Sequence, residues 1–155
     1  MKLISLMFLL LPGLVFGAQY NIQKMKIEIY YEPMVIKYAD LQLDIPTNTA
    51  GNFIAGPILG KIKILQWVNL TGKTDGKIFT GSYDTRMPIG EYSDETDVNK
   101  LPLAHIEITK GVIVSAKKKV VGQISITFPE DLKIEGYLRT ISKYPLPGSF
   151  TGFFQ

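Results

Sequence analysis

The sequence contains no cysteine, and that one absence excludes a disulfide framework, a thiol nucleophile, dithiol redox chemistry and a lipidated N-terminal cysteine. Histidine is almost as scarce, with His105 the single one. Tight transition-metal centres draw on histidine and cysteine ligands, so a zinc-type site is excluded as well, and no cofactor is expected. Only two arginines occur, Arg86 and Arg139, and the formal charge is a modest +3. Arginine is the usual reader of guanine edges and phosphates, so nucleic acid is not an expected partner. No window of about ten residues or more carries an apolar stripe of helical period. Repeats and low-complexity tracts are absent too.

The one long apolar run lies at the start. Met1-Lys2 is followed by Leu3 to Leu11, almost wholly apolar, then Pro12-Gly13 and Leu14-Val15-Phe16-Gly17-Ala18. A positive start, a short apolar stretch and small residues at the end form a secretory signal peptide. Cleavage after Gly17 puts Val15 and Gly17 at the two positions the peptidase reads, whereas cleavage after Ala18 would put bulky Phe16 there. A retained anchor needs about 20 apolar residues, and Pro12-Gly13 interrupts this run first. Residues 1–17 are therefore read as a signal peptide and 18–155 as one domain, exported to the periplasm or the extracellular space. A domain of this size buries roughly two-thirds of the surface its unfolded chain exposes.

What fills the domain is period-two alternation, the pattern of half-buried strands. Met25, Ile27, Ile29 and Tyr31 alternate with Lys24, Lys26 and Glu28. Ala39, Leu41, Leu43 and Ile45 alternate with Asp40, Gln42 and Asp44, and the run Lys61–Leu70 sets Ile62, Ile64, Val68 and Leu70 against Lys61, Lys63, Trp67 and Asn69. Ala104, Ile106 and Ile108 oppose His105, Glu107 and Thr109, and Val120, Ile124, Ile126 and Phe128 oppose Gln123, Ser125 and Thr127. A run at Leu132–Ile141 and shorter ones at Lys77–Tyr83 and Val112–Ala116 complete about eight strands. Turns are expected at Thr71–Gly76, which contains Asp75-Gly76, at Lys110-Gly111, at Lys117–Lys119 and at Phe128–Asp131. A short helical turn within Thr47–Leu59 is the best helix candidate. The fold class is all-β: an antiparallel sandwich or a small barrel.

Residues 84–102 are polar, acidic and proline-containing, and read as a long excursion between strands. Asp84, Glu91, Asp94, Glu95 and Asp97 crowd there with Asn99 beyond. The cluster is a solvated acidic loop or a weak calcium site on Asp94, Asp97 and Asn99, although no EF-hand spacing is present. Met87-Pro88-Ile89-Gly90-Glu91-Tyr92 is similar to the Pro-x-Gly-x-aromatic segment of the L,D-transpeptidases, which crosslink cell-wall peptides. Those enzymes attack with a cysteine, so the activity does not carry over to this chain. Gly72-Lys73-Thr74 matches the end of a phosphate-binding loop, but Trp67 stands where the first glycine is required, so the segment is read as a turn. His105 is a solvent-side strand histidine or, on the other reading, a general base. No G-x-S-x-G turn supports a serine triad. Asn69-Leu70-Thr71 would accept a glycan only in a eukaryotic secretory pathway.

Binding candidates remain. Trp67 shares the polar parity of its run, where tryptophan stacks on a sugar or anchors a protein; the bland reading makes it core. Tyr83, Tyr30 and Tyr137 also stand among polar neighbours, and Tyr92 lies in the acidic loop. Lys117, Lys118 and Lys119 are either a device against edge pairing or a contact for an acidic partner, a glycan or anionic lipid. The tail from Tyr144 to Gln155 carries Phe150, Phe153 and Phe154, which either close the core or form a partner motif.

The expected function is non-enzymatic binding of a protein, glycan or cell-envelope component. The alternatives are a barrel carrying an apolar ligand and an eight-stranded outer-membrane barrel. Membrane association is not predicted, and the oligomeric state is open.

Overall fold

A computed structural model of the chain describes residues 19–31, 34–128, 132–134, 137–139 and 146–155; residues 1–17, read as a signal peptide, lie outside the described residues. Among the described residues ten strands follow one another: β1 (Gln19–Tyr31), β2 (Met34–Thr47), β3 (Gly56–Lys63), β4 (Trp67–Thr74), β5 (Ile78–Arg86), β6 (Leu103–Val114), β7 (Lys119–Thr127), β8 (Leu132–Ile134), β9 (Tyr137–Arg139) and β10 (Leu146–Phe154). Eight of them close an antiparallel barrel in the order β1-β10-β7-β6-β5-β4-β3-β2, and β8 pairs only with β9. The chain is thus all-β, and the closed barrel rather than the sandwich is its architecture. The last strand closes it: β10 lies between β7 and β1, pairing Gly152 with Val120 on one side and Ile27 on the other. Closure leaves the barrel sheet itself without a free edge to recruit another chain.

Alternation places one residue in two inside. Met25, Ile27, Ile29, Leu41, Leu43, Ile45, Ile62, Ile106, Ile124 and Ile126 are all buried and belong to one apolar cluster. Each such aliphatic side chain contributes about 1.5–3 kcal/mol when fully withdrawn from water. Large rings lie over glycines of the neighbouring strand. Phe79 pairs directly with Gly111, and Phe150 pairs directly with Gly122. A Cβ on either glycine would lie 2.4 Å from the ring. Glycine is the side chain that fits there, and the rings cover the backbone that glycine bares. Phe79 and Phe150 in turn meet at 6.3 Å between centroids. Phe150 therefore closes the core, as one reading of the aromatic tail holds, while Phe153 faces outward at 61% exposure.

Several expected boundaries move. The run Lys61–Leu70 is a hairpin, with β3 ending at Lys63 and β4 beginning at Trp67. Its parity carries across the turn, which hid the break. Lys110-Gly111 is no turn: β6 runs through it with a β-bulge, Ile108 pairing Gly81 while Gly111 pairs Phe79. The turn read at Thr71–Gly76 is shorter, because β4 extends to Thr74 and only Asp75-Gly76-Lys77 turns. The Asp75 carboxylate accepts from the amides of Lys77 and Ile78 at 2.9 and 2.8 Å. The run at Leu132–Ile141 holds two short strands rather than one. Between Thr47 and Leu59 there is no helix; the Asn48 side chain accepts from the amides of Ala50 and Asn52 and shapes a turn.

The 84–102 segment also departs from the expected open excursion. Asp84 to Arg86 finish β5, and the connection that follows packs onto one end of the barrel. Met87, Ile89 and Leu101 are buried, and two 3-10 turns, Gly90–Tyr92 and Val98–Lys100, fold it compactly. Arg86 Nη1 donates to the carbonyl of Leu101 at 2.8 Å and latches its far end.

Candidate functional site

The outer wall is concave where two glycines pair. Gly72 of β4 lies opposite Gly81 of β5. Both point inward; a Cβ on Gly72 would meet the Thr80 carbonyl at 2.3 Å, and one on Gly81 would meet Leu70 Cδ2 at 2.6 Å. Without side chains there, Leu70 fills the space behind the two glycines. Outside lies a depression of about 500 Å³ lined by Thr71, Lys73, Thr80, Ser82, Glu107 and Thr109. A second, of about 570 Å³, lies over β2, β3 and β4 and is lined by Gln42, Asp44, Leu59, Lys61 and Asn69. They share Thr71 and Gly72, so the two adjoin as a groove across the wall from β2 to β6, its floor largely apolar and its borders set with polar side chains.

Trp67, the first residue of β4, stands beside this groove. The residue is 47% exposed, and Lys61 Nζ sits 4.9 Å from the ring centroid, a distance at which the ammonium is attracted by the π face. A recess of about 270 Å³ between Lys24, Asp40, Gln42, Lys61, Trp67 and Gln155 adjoins the groove through Gln42 and Lys61. The groove therefore offers hydroxyls, amides, an apolar patch at Leu59 and an indole at its margin.

On the opposite margin His105 is held between two carboxylates. Nδ1 lies 2.7 Å from Asp84 Oδ1 and Nε2 lies 3.2 Å from Glu107 Oε1. Register explains the first contact, because Asp84 and His105 are directly paired across β5 and β6, and alternation explains the second. The histidine pKa is raised, first by the Asp84 hydrogen bond; slight burial opposes this, and Glu107 adds to it. Both ring nitrogens are occupied, so the imidazole is disposed to hold a proton rather than to take one from a substrate. This counts against the general-base reading of His105.

The sequence candidates fall in different places. Trp67 lies on the outer surface as its parity predicts. Tyr83 does not: it points into the barrel at 4% exposure, because it shares the inward parity of Phe79 and Thr85 on β5, so it is corrected to a core residue. Tyr92 is half-buried and packs on the margin of the core within the loop. Tyr30 is exposed on β1, away from the groove, and the side chain of Tyr137 lies outside the described residues. Lys117 and Lys118 lie in the β6–β7 turn, Lys119 opens β7, and all three border a different surface. The loop that holds Asp94, Asp97 and Asn99 uses its carboxylates locally. Asp97 Oδ1 accepts from the Asn99 amide at 3.0 Å, and Glu95 Oε1 accepts from the Asp97 amide at 3.0 Å. These carboxylates cap local turns, and among the described residues no three acidic or histidine side chains are arranged to hold a metal ion.

Two features escaped the sequence. The groove floor was legible only as glycines within strand runs, a known sign of close backbone approach, and Gly72 was instead read as a turn. Asp84 could join His105 only once strand register was known.

Comparison with protein-family models, with curated proteins and with solved structures returned no match.

Proposed function

We propose that the chain is an exported, non-enzymatic barrel that binds a glycan of the cell envelope along the outer groove from β2 to β6. The observation that carries this reading is the groove itself, two adjoining depressions where polar side chains border a largely apolar floor, on a barrel whose inside is packed with its own side chains. Sugars are held by hydroxyl and amide partners with an apolar surface under the ring. Thr71, Thr80, Ser82, Asn69 and Gln42 offer the former, and Leu59 and Trp67 the latter.

The packed interior counts against a carrier of apolar ligands. Positions that would line a ligand chamber, such as Phe79 and Phe150, touch each other instead. The outer wall counts against a membrane-spanning barrel. Lys26, Asp40 and Lys63 lie side by side on outward positions of β1, β2 and β3, and a lysine at bilayer mid-depth costs about 2–4 kcal/mol. The saturated nitrogens of His105 support a role without catalysis.

The test is binding to envelope polysaccharide by sedimentation, and to its oligosaccharides by calorimetry. Thr71→Trp and Ser82→Trp fill the groove from the solvent side and are expected to weaken binding at least about tenfold, the effect of 1.4 kcal/mol, with the circular dichroism unchanged. Full binding by both variants would refute the assignment of the groove.

A further inference from the structure

A second surface lies further along the same wall, on outward residues of β5, β6, β7 and β10 past the end of the groove at Lys73 and Thr80. Ile78, Val112 and Val121 are consecutive cross-strand neighbours there. The next outward row holds Val114, Lys119 and Phe153. Elsewhere outward positions are mainly polar; here five apolar side chains adjoin, and Phe153 projects with more than half its surface free.

Lysines ring this patch. Lys77 belongs to the β4–β5 turn, and its carbonyl accepts from the Ile113 amide at 2.8 Å. Lys117 and Lys118 belong to the β6–β7 turn, and the Lys118 carbonyl accepts from the Phe154 amide at 2.8 Å. Lys110 stands at the β6 bulge. Of the acids nearby, Asp75 is turned onto the amides of its own hairpin and Glu28 lies beyond Thr151. Lys118 adopts the left-handed conformation, φ 52° and ψ 43°. Glycine would take that conformation without cost, whereas a residue with a Cβ gives up about 1 kcal/mol. The chain carries a positive charge at a position where backbone geometry favours glycine.

We infer that this patch docks on anionic phospholipid, with Phe153 entering the headgroup layer and the lysines bearing on the phosphates. A barrel wall is convex, and a flat bilayer meets it at one projecting ring without needing a complementary shape. An acidic protein partner would need about 800 Å² of matched surface on each side, and arginine forks, absent from this patch, would serve it better. Lysines on long stems suit a layer of mobile phosphates, each strengthening binding about fivefold.

The experiment is cosedimentation of the purified protein with vesicles of phosphatidylcholine alone and of phosphatidylcholine containing about one-third phosphatidylglycerol. Partition onto the anionic vesicles only, falling as salt is raised, is expected. Lys117→Ser, Lys118→Gly and Lys119→Ser together should lower it about a hundredfold, and Phe153→Ser about tenfold. Lys118→Gly alone should lower it about fivefold while the melting temperature holds or rises, so that the loss cannot be ascribed to unfolding. Equal partition onto neutral vesicles, or none onto either kind, overturns the inference. So does lysine-dependent binding to polyglutamate by a protein that ignores lipid, which would assign the patch to an acidic polypeptide.

Discussion

The strand β6 has a polar connection at each end, and the two behave in opposite ways. The connection before it, residues 87–102, is long and acidic, yet Met87, Ile89 and Leu101 are buried and backbone hydrogen bonds such as Met87 N to Pro102 O, 3.1 Å, hold it in place. The connection after it, Ser115–Lys118, is short and basic, buries nothing and turns through a left-handed lysine. Polarity along the chain therefore says little about whether a loop is open. Sparse apolar anchors decide it: three of them make the long loop a plug for the barrel end, and their absence leaves the short turn wholly available to contact something else.

The contrast breaks most sharply on Met87. Replacing it with alanine should cost about 2–5 kcal/mol, as for other buried methionines, whereas Lys117→Ala should stay within about 0.5 kcal/mol. Urea unfolding of both variants measures the difference, and equal stabilities would mean that the loop is not part of the core. Arg86→Ala should cost about 1.5–3 kcal/mol, the range for a hydrogen bond to a charged group, and should speed amide exchange across 87–102 before the barrel strands are affected. At the other end of β6 the sign reverses: Lys118→Gly should stabilise by about 1 kcal/mol, because glycine relieves the left-handed position. A loss of stability there would show that the lysine side chain itself supports the turn.

Inward and outward faces were legible from the sequence wherever strands alternate, because parity depends only on neighbouring residues. Met25, Leu41, Ile106 and Ile126 lie inside as the pattern requires. Boundaries were less legible where parity is preserved across a break. The turn between Lys63 and Trp67 keeps the alternation of the strands it joins, and the bulge at Lys110 resembles a turn because a glycine follows it. Tyr83 misled for a related reason: its neighbours Ser82 and Asp84 are polar, but inward Gly81 and Thr85 gave no apolar signal. Closure by β10, the groove over Gly72 and Gly81, and the Asp84–His105 contact all depend on register between distant segments. Local pattern carries no information of that kind.

The smallest expected effect lies on β6 itself, between its two ends, at His105. Its pKa is raised above the usual 6.5 by Asp84 and then Glu107, so protonation is favoured by folding. The resulting stability is fully present below about pH 6.5 and is lost as pH rises through the raised folded value. The three side chains are about half exposed and solvent screens them, so the gain belongs with surface ion pairs, whose contribution is slight. Melting temperatures of the protein and of His105→Gln should differ most in mild acid and converge above neutrality, and the difference should shrink in high salt. An NMR titration placing His105 at or below the ordinary value would sink this account. The basic turn offers the contrast: its lysines have no carboxylate partner among the described residues.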